Sequence, residues 1–154
     1  MKYLLDTNIL IHYLRQSTLA DFTERTYQPL TPSPNTTPLI STVIVGELES
    51  LALRNNWGTP RKKELELLLD KFLIVDIRIK TIITRYAEID TFSYGKLKGQ
   101  PLSGSARTMG KNDLWIAATA SVLDATLLTT DKDFDHLNNV FLDVVWIDPT
   151  LHKT

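Results

Sequence analysis

The sequence predicts an α/β domain built on a mostly parallel sheet, and three observations carry that prediction. Short apolar runs of strand length alternate with longer segments of helical spacing along the whole chain. The 154 residues, 43% hydrophobic and 23% charged, have the balance of an ordinary globular protein, and a chain of this size buries roughly 68–70% of the surface its unfolded form exposes. No repeat and no convincing linker divides the chain, so residues 1–154 are expected to form one domain.

Residues 2–5 read as a short buried strand, and TNILIHYLRQS after it as a helix with Thr7 or Asn8 available as its cap. From Glu24 to Pro38, ERTYQPLTPSPNTTP carries four prolines and no periodicity, which predicts a loop, or a short helix followed by a loop. LIST is a second buried strand, and TVIVGELESLALRNN a helix beginning near Thr42. TPRKKELELLLDKF is a further helix, with Pro60 in the first turn, where a missing N–H is harmless. FLIVDI reads as a strand and RIKTIITRYAEIDTFSY as a helix of mixed face. Residues 95–111, GKLKGQPLSGSARTMGK, hold four glycines and read as a flexible loop, made basic by Lys96, Lys98, Arg107 and Lys111. NDLWIAATASVLD is apolar nearly all round and is therefore a buried helix. ATLLTT is a strand, DKDFDHL a turn or short helix, and VVWID the last strand.

The net charge of −1 gives no global attraction to nucleic acid or to an anionic membrane, so a polyanion would have to be held by local cations or metal. Cysteine is absent, which excludes disulfides and thiolate metal sites and fits a reducing compartment. At the N-terminus, Asp6 and Asn8 interrupt the apolar run and no small-residue cleavage site follows, so the segment reads as mature protein. No stretch approaches the roughly 18 apolar residues of a membrane span. A cytoplasmic location is the expectation.

Two apolar strands each end in an aspartate: KYLL runs into Asp6, and TLLTT into Asp131. In a parallel sheet the crevice beyond the carboxyl ends of the strands is where ligands bind. Aspartate is also a common turn residue, and Asp148 after VVWI shows how cheaply the pattern arises. Glu47 is harder to explain away. It lies three residues after Ile44 and four before Leu51, on or beside an apolar stripe, where an unpaired carboxylate is expensive. A buried ion pair to an arginine is its structural alternative, whereas Glu49 faces solvent. Asp113 opens the buried helix after the glycine-rich loop, where Asn112 or Asp113 alone would serve as a cap.

Taken together, two strand ends, a helix face and a helix start can converge at one sheet edge. Carboxylate pairs about 4 Å apart repel by roughly 4 kcal/mol at an effective dielectric of 20. Such a cluster needs protons or cations, and hard oxygen ligands favour Mg²⁺ or Mn²⁺ over zinc. His12, His136 and His152 are scattered and expected at the surface. A carboxylate-held Mg²⁺ is used above all for chemistry on phosphate esters. Lys96, Lys98, Arg107 and Lys111, just before Asp113, are the candidates to hold a phosphate backbone, although a solvated loop accounts equally well for each of them.

These residues carry a family resemblance. LLDTNILI, STVIVGELE, NDLWIAATA and LLTTDKDF, in that order over nearly the whole chain, resemble the PIN-domain nucleases, and within them the VapC-type toxins of type II toxin–antitoxin systems. The resemblance implies a three-layer α/β/α fold with the acidic site at one sheet edge. It matches Asp6, Glu47, Asp113 and Asp131 to the family's acidic quartet, which binds the metal and is catalytic, with Asp131 lying 18 residues after Asp113. Asp133 is a neighbour that would act through water. Thr7 or Asn8 would orient Asp6, and Asn112 would support the site. The implied reaction is Mg²⁺- or Mn²⁺-dependent hydrolysis of RNA phosphodiesters by metal-activated water. Also implied are a homodimer, a VapB-type antitoxin, and contact with DNA only through that antitoxin. The segments 24–38 and 95–111 make this chain longer than compact members of the family.

Three rivals are weighed beside this reading. A phosphoacceptor receiver-like domain shares the strand-end aspartates, but has no place for Glu47 or Asp113. A non-catalytic RNA-binding or regulatory PIN domain would be expected to lack one or more acids. A PIN nuclease of RNA processing or DNA repair, outside any toxin pair, would differ in genome neighbourhood.

Overall fold

The computed structural model describes residues 1–152. Its sheet contains β1 (Lys2–Leu5), β2 (Thr37–Ser41), β3 (Leu73–Val75), β4 (Thr126–Thr129) and β5 (Asp143–Trp146). They hydrogen-bond in the order β3-β2-β1-β4-β5, and every pairing is parallel. The connections are made by α1 (Thr7–Leu14), α2 (Thr18–Tyr27), α3 (Thr42–Arg54), α4 (Thr59–Leu69), α5 (Lys80–Ser93) and α6 (Lys111–Val122). Two 3-10 helices, Lys132–Leu137 and Pro149–Leu151, flank β5.

The chain winds outward from β1 through β2 to β3, then returns through α5 and α6 to β4 on the far side of β1. With the usual right-handed crossover, the two opposite directions of winding carry helices to both faces of the sheet. Both faces are covered, as the burial confirms: Leu4, Leu5, Leu127 and Leu128 are all fully inaccessible, the signature of parallel strands buried on both sides. At the edge, Leu73 and Ile74 of β3 are exposed. The winding reverses between β1 and β4, so the carboxyl ends of those two strands flank the switch-point crevice.

Several local expectations are corrected. The expected first helix, residues 7–17, is shorter: α1 stops at Leu14, Gln16 takes a positive φ of 52°, and Ser17 caps a separate helix, α2, by accepting from Ala20 N at 3.2 Å. The segment from Glu24 takes the second of its two expected forms, helix and then loop: α2 runs on to Tyr27, and the left-handed conformation of Gln28 ends it. Neither Thr7 nor Asn8 caps α1; Asp6 does, accepting from Thr7 N. Neither Asn112 nor Asp113 caps α6, since Gly110 holds that position without a side-chain bond and Lys111 already belongs to the helix. The histidines are half-buried rather than superficial. His12 Nδ1 lies 2.8 Å from Ser17 Oγ, His136 Nε2 lies 2.8 Å from Ser93 Oγ, and His152 stacks on Phe22. Among the described residues, no helix is long and apolar enough to cross a membrane.

Candidate active site

The ladder between β1 and β4 continues one residue past each strand. Asp6 N donates to Leu128 O at 3.0 Å, and the register that pairs Leu5 with Leu128 sets Asp6 beside Thr129. Thr129, fully buried, donates through Oγ1 to Asp6 Oδ2 at 2.8 Å, and Thr7 N donates to Asp6 Oδ1 at 2.8 Å. Both carboxylate oxygens are thereby fixed in direction, with the residue only 6% exposed.

From Asp6 an unbroken chain of hydrogen bonds runs both ways. On one side, Thr129 Oγ1 accepts from Asp131 N at 3.0 Å, and Asp131 Oδ1 accepts from Asp133 N at 2.8 Å, capping the 3-10 helix Lys132–Leu137. On the other side, Thr7 Oγ1 donates to Glu47 Oε1 at 3.0 Å. Glu47 sits at the edge of α3, beside the buried stripe Ile44, Leu48 and Ala52, and the arginine partner that would explain it structurally is absent among the described residues. Asp113 stands in the first turn of α6, half-buried, with its carboxylate over Gly110. Carboxylate oxygens of Asp113, Asp131 and Asp133 all lie within 4.8 Å of one another.

The electrostatics follow from this crowding. Burial pushes the Asp6 carboxyl above its usual range, opposed by the hydrogen bonds from Thr129 and Thr7 and reinforced by Glu47 and Asp131. Asp113 is pushed up to about 7, first by burial, then by Asp6, Asp131, Asp133 and Glu47. The ion pairs among the described residues are Lys63–Glu66, Arg78–Asp76 and Arg85–Glu88, all outside this cluster. The three clustered aspartates, none of them in an ion pair among the described residues, form an all-oxygen, anionic donor set, which fits a hard divalent ion such as Mg²⁺ or Mn²⁺. Asp113, Asp131 and Asp133 are the residues that would hold it. Asp6 and Glu47, expected with them, stand outside that group and join Asp131 through the hydrogen bonds of Thr7 and Thr129.

Of the other candidates, Thr7 joins Asp6 to Glu47, while Asn8 is exposed and makes no bond to Asp6. Asn112 is exposed and lines a groove with Thr7 and Glu47. Arg107 lines a hollow of about 320 Å³ with Asp133, and its backbone N donates to Ser93 O at 2.8 Å. Lys96, Lys98 and Lys111 are exposed, and their side chains bond to none of the acids. Thr129 is the residue that sequence reasoning missed. A strand ending in two threonines directly before an aspartate was its only signal.

Comparisons with known proteins bear on the family and the fold. The family model described as PIN domain matches residues 3–140. Ribonuclease VapC1 of Haemophilus influenzae (strain R2866) is 32% identical over 151 residues, covering 97% of this chain and 99% of its own. Ribonuclease VapC2 of Rickettsia felis is 28% identical over 144 residues, covering 93% and 97%. The crystal structure of VapBC2 from Rickettsia felis bound to a promoter DNA fragment superposes with a TM-score of 0.73 at 24% identity, over 96% of this chain and 100% of that one. That of VapBC-1 from nontypeable Haemophilus influenzae gives 0.69 at 27%, over 95% and 98%. With its all-parallel sheet, its acids at the switch point and a family match spanning most of its length, this chain belongs to the PIN-domain family.

Proposed function

We propose that this protein is a divalent-cation-dependent endoribonuclease and the toxin of a toxin–antitoxin pair. The observation that carries the reading is the uncompensated acidic cluster at the β1/β4 switch point, in a chain that matches VapC ribonucleases end to end. Mg²⁺ or Mn²⁺ held there supplies the charge that draws in a phosphodiester, polarises its phosphoryl oxygens and eases ionisation of the attacking water. The protein's part is orientation. Thr7 and Thr129 hold Asp6 and Glu47 in fixed directions, Thr129 also ties down the backbone of Asp131, and Asp113 stands with Asp131 and Asp133. No side-chain nucleophile is needed, and the cluster of Asp113, Asp131 and Asp133 includes no cysteine or histidine among the described residues.

The proposed partner set is RNA as substrate, a VapB-type antitoxin as inhibitor, DNA reached only through that antitoxin, and a homodimer as the working assembly in the cytoplasm; the names of the ribonuclease relatives and of the VapBC complexes support the first two. The test is incubation of purified protein with total cellular RNA in Mg²⁺, in Mn²⁺, in EDTA, and with Asp6→Asn in place of the wild type. Discrete fragments bearing 5′-phosphates, present only for the wild type with metal, are the expected result. Intact RNA in every lane, with antitoxin shown to be absent, overturns the nuclease in favour of a binding module.

A further inference from the structure

Helix α3 presents two faces. Ile44, Leu48 and Ala52 are buried in the core. A neighbouring stripe at helical spacing (Val43, Gly46, Glu47, Ser50, Leu51 and Arg54) forms one wall of a groove of about 680 Å³. Thr7, Asn8 and Ile11 of α1 and Asn112 of α6 complete it. The groove therefore begins at Glu47, inside the acidic site, and ends at Arg54, two helical turns or about 10.5 Å along α3. Asn8, Ser50, Arg54 and Asn112 are exposed, and their side chains make no hydrogen bond to other described residues.

Gly46 is the telling position. Glycine in the middle of a helix is worse than alanine. Here a Cβ would meet nothing within 4 Å, and the backbone φ is ordinary. No packing inside the protein requires glycine, so the vacancy serves something that approaches the helix from outside. The lining says what. A guanidinium fork suits phosphate oxygens, and carboxamides and a hydroxyl offer both donors and acceptors to ribose 2′-hydroxyls and base edges. By contrast, the hollow of about 510 Å³ between α3 and α4 mixes apolar residues (Ala52, Leu53, Leu65, Leu69 and Ile74) with Glu49, Lys62, Glu66 and Asp70, and touches none of the acids of the candidate site.

We propose that the α1–α3 groove is a subsite for the RNA strand flanking the scissile phosphate, with Gly46 as its floor and Arg54 on a neighbouring phosphate. The inference rests on the ribonuclease reading and adds the path of the strand. Single-stranded RNA is the occupant, because the groove carries polar side chains, ends in a cation and includes Glu47, with Thr7 and Asn112 next in sequence to Asp6 and Asp113.

The test uses a fluorescent oligoribonucleotide copied from a fragment boundary found in the total-RNA digest, cleaved by wild type, Gly46→Ala and Arg54→Gln. Gly46→Ala is expected to melt about 2–4 °C higher than wild type while its KM rises about tenfold with kcat nearly unchanged. Arg54→Gln raises KM similarly and flattens the slope of log kcat/KM against log salt by about 0.7, the loss of one single-strand phosphate contact. Wild-type KM and salt slope in both variants overturn the subsite while leaving the nuclease intact. Unaltered cleavage combined with weakened inhibition by antitoxin assigns the groove to a protein partner instead, and likewise overturns it. An inactive wild type overturns both readings.

Discussion

Thr129→Val isolates the contribution of one buried hydroxyl to the acidic site. Valine keeps the shape and removes the O–H that reaches Asp6 Oδ2 at 2.8 Å and the oxygen that accepts from Asp131 N at 3.0 Å. A hydrogen bond to a charged group contributes about 1.5–3 kcal/mol, and at about 2–4 °C per kcal/mol for a domain of this size the metal-free melting point should fall roughly 3–12 °C at pH 8. The penalty has a pH signature. Thr129 favours the ionised form of Asp6, so its loss matters most where Asp6 is charged and shrinks as pH falls and Asp6 takes up its proton. Mn²⁺ affinity, read by calorimetric titration, should fall 10–100-fold, the usual range for a residue that orients a metal ligand. Thr129→Ser, which keeps the hydroxyl, should restore most of that affinity. Wild-type Mn²⁺ affinity in the valine variant, or an equal loss in the serine variant, would refute the claim that Thr129 positions Asp6 and Asp131.

Asp113→Asn should abolish cleavage yet raise the metal-free melting point at pH 8, by about 2–4 °C once the half-exposed position is allowed its solvent screening; a lower midpoint in EDTA would contradict the repulsion argument. The pH dependence of the metal-free protein has a definite sign. Asp113 is pushed up to about 7 from 3.8, so between those values the folded state binds more protons than the unfolded chain, and stability falls as pH rises through that window. Melts in EDTA from pH 4 to pH 8 check this, and a midpoint that climbs over that range refutes it. Mn²⁺ reverses the trend, because its ligands must be ionised; at a hundred times Kd it should add about 2.7 kcal/mol, so the gap between melts with and without metal should widen toward pH 8. Thr7→Val removes the 3.0 Å bond to Glu47 while sparing the Thr7 N–H to Asp6, so Mn²⁺ affinity should drop about tenfold with little change in melting point.

The sheet was legible because burial on both faces leaves a plain mark: KYLL, LIST and TLLT are short apolar runs that serve no amphipathic helix. Glu47 was legible for the complementary reason, a carboxylate beside an apolar stripe in a helix. The start of α2 at Thr18 was harder to see, since it depends on Gln16 entering the left-handed region, which no glycine announced. Ser17 with Asp21 in the next turn was its only trace. Caps were misassigned because cap choice turns on one residue's backbone angles. Asp6, read only as a site residue, is also the α1 cap, and Asp131 is also the cap of the 3-10 helix after it. Thr129 stayed hidden because its role depends on the register between β1 and β4, strands more than 120 positions apart in sequence.

The double duty of Asp6 and Asp131 explains how a repulsive cluster survives in the folded chain. Each acid accepts a backbone N–H, from Thr7 and Asp133 respectively, at a point where a helix leaves the sheet. The same helix starts that need an acceptor thus stabilise carboxylates whose mutual repulsion would otherwise push them apart. Asp113 makes no such bond, and burial together with Asp6, Asp131, Asp133 and Glu47 pushes it up to about 7. The site is thus unevenly prepared. Its strand-end members are anchored by caps, while Asp113, on α6, has no backbone N–H to offset the neighbouring acids. A divalent ion would supply that compensation, so loss of the Asp113 carboxylate should lower metal affinity while leaving the metal-free fold at least as stable.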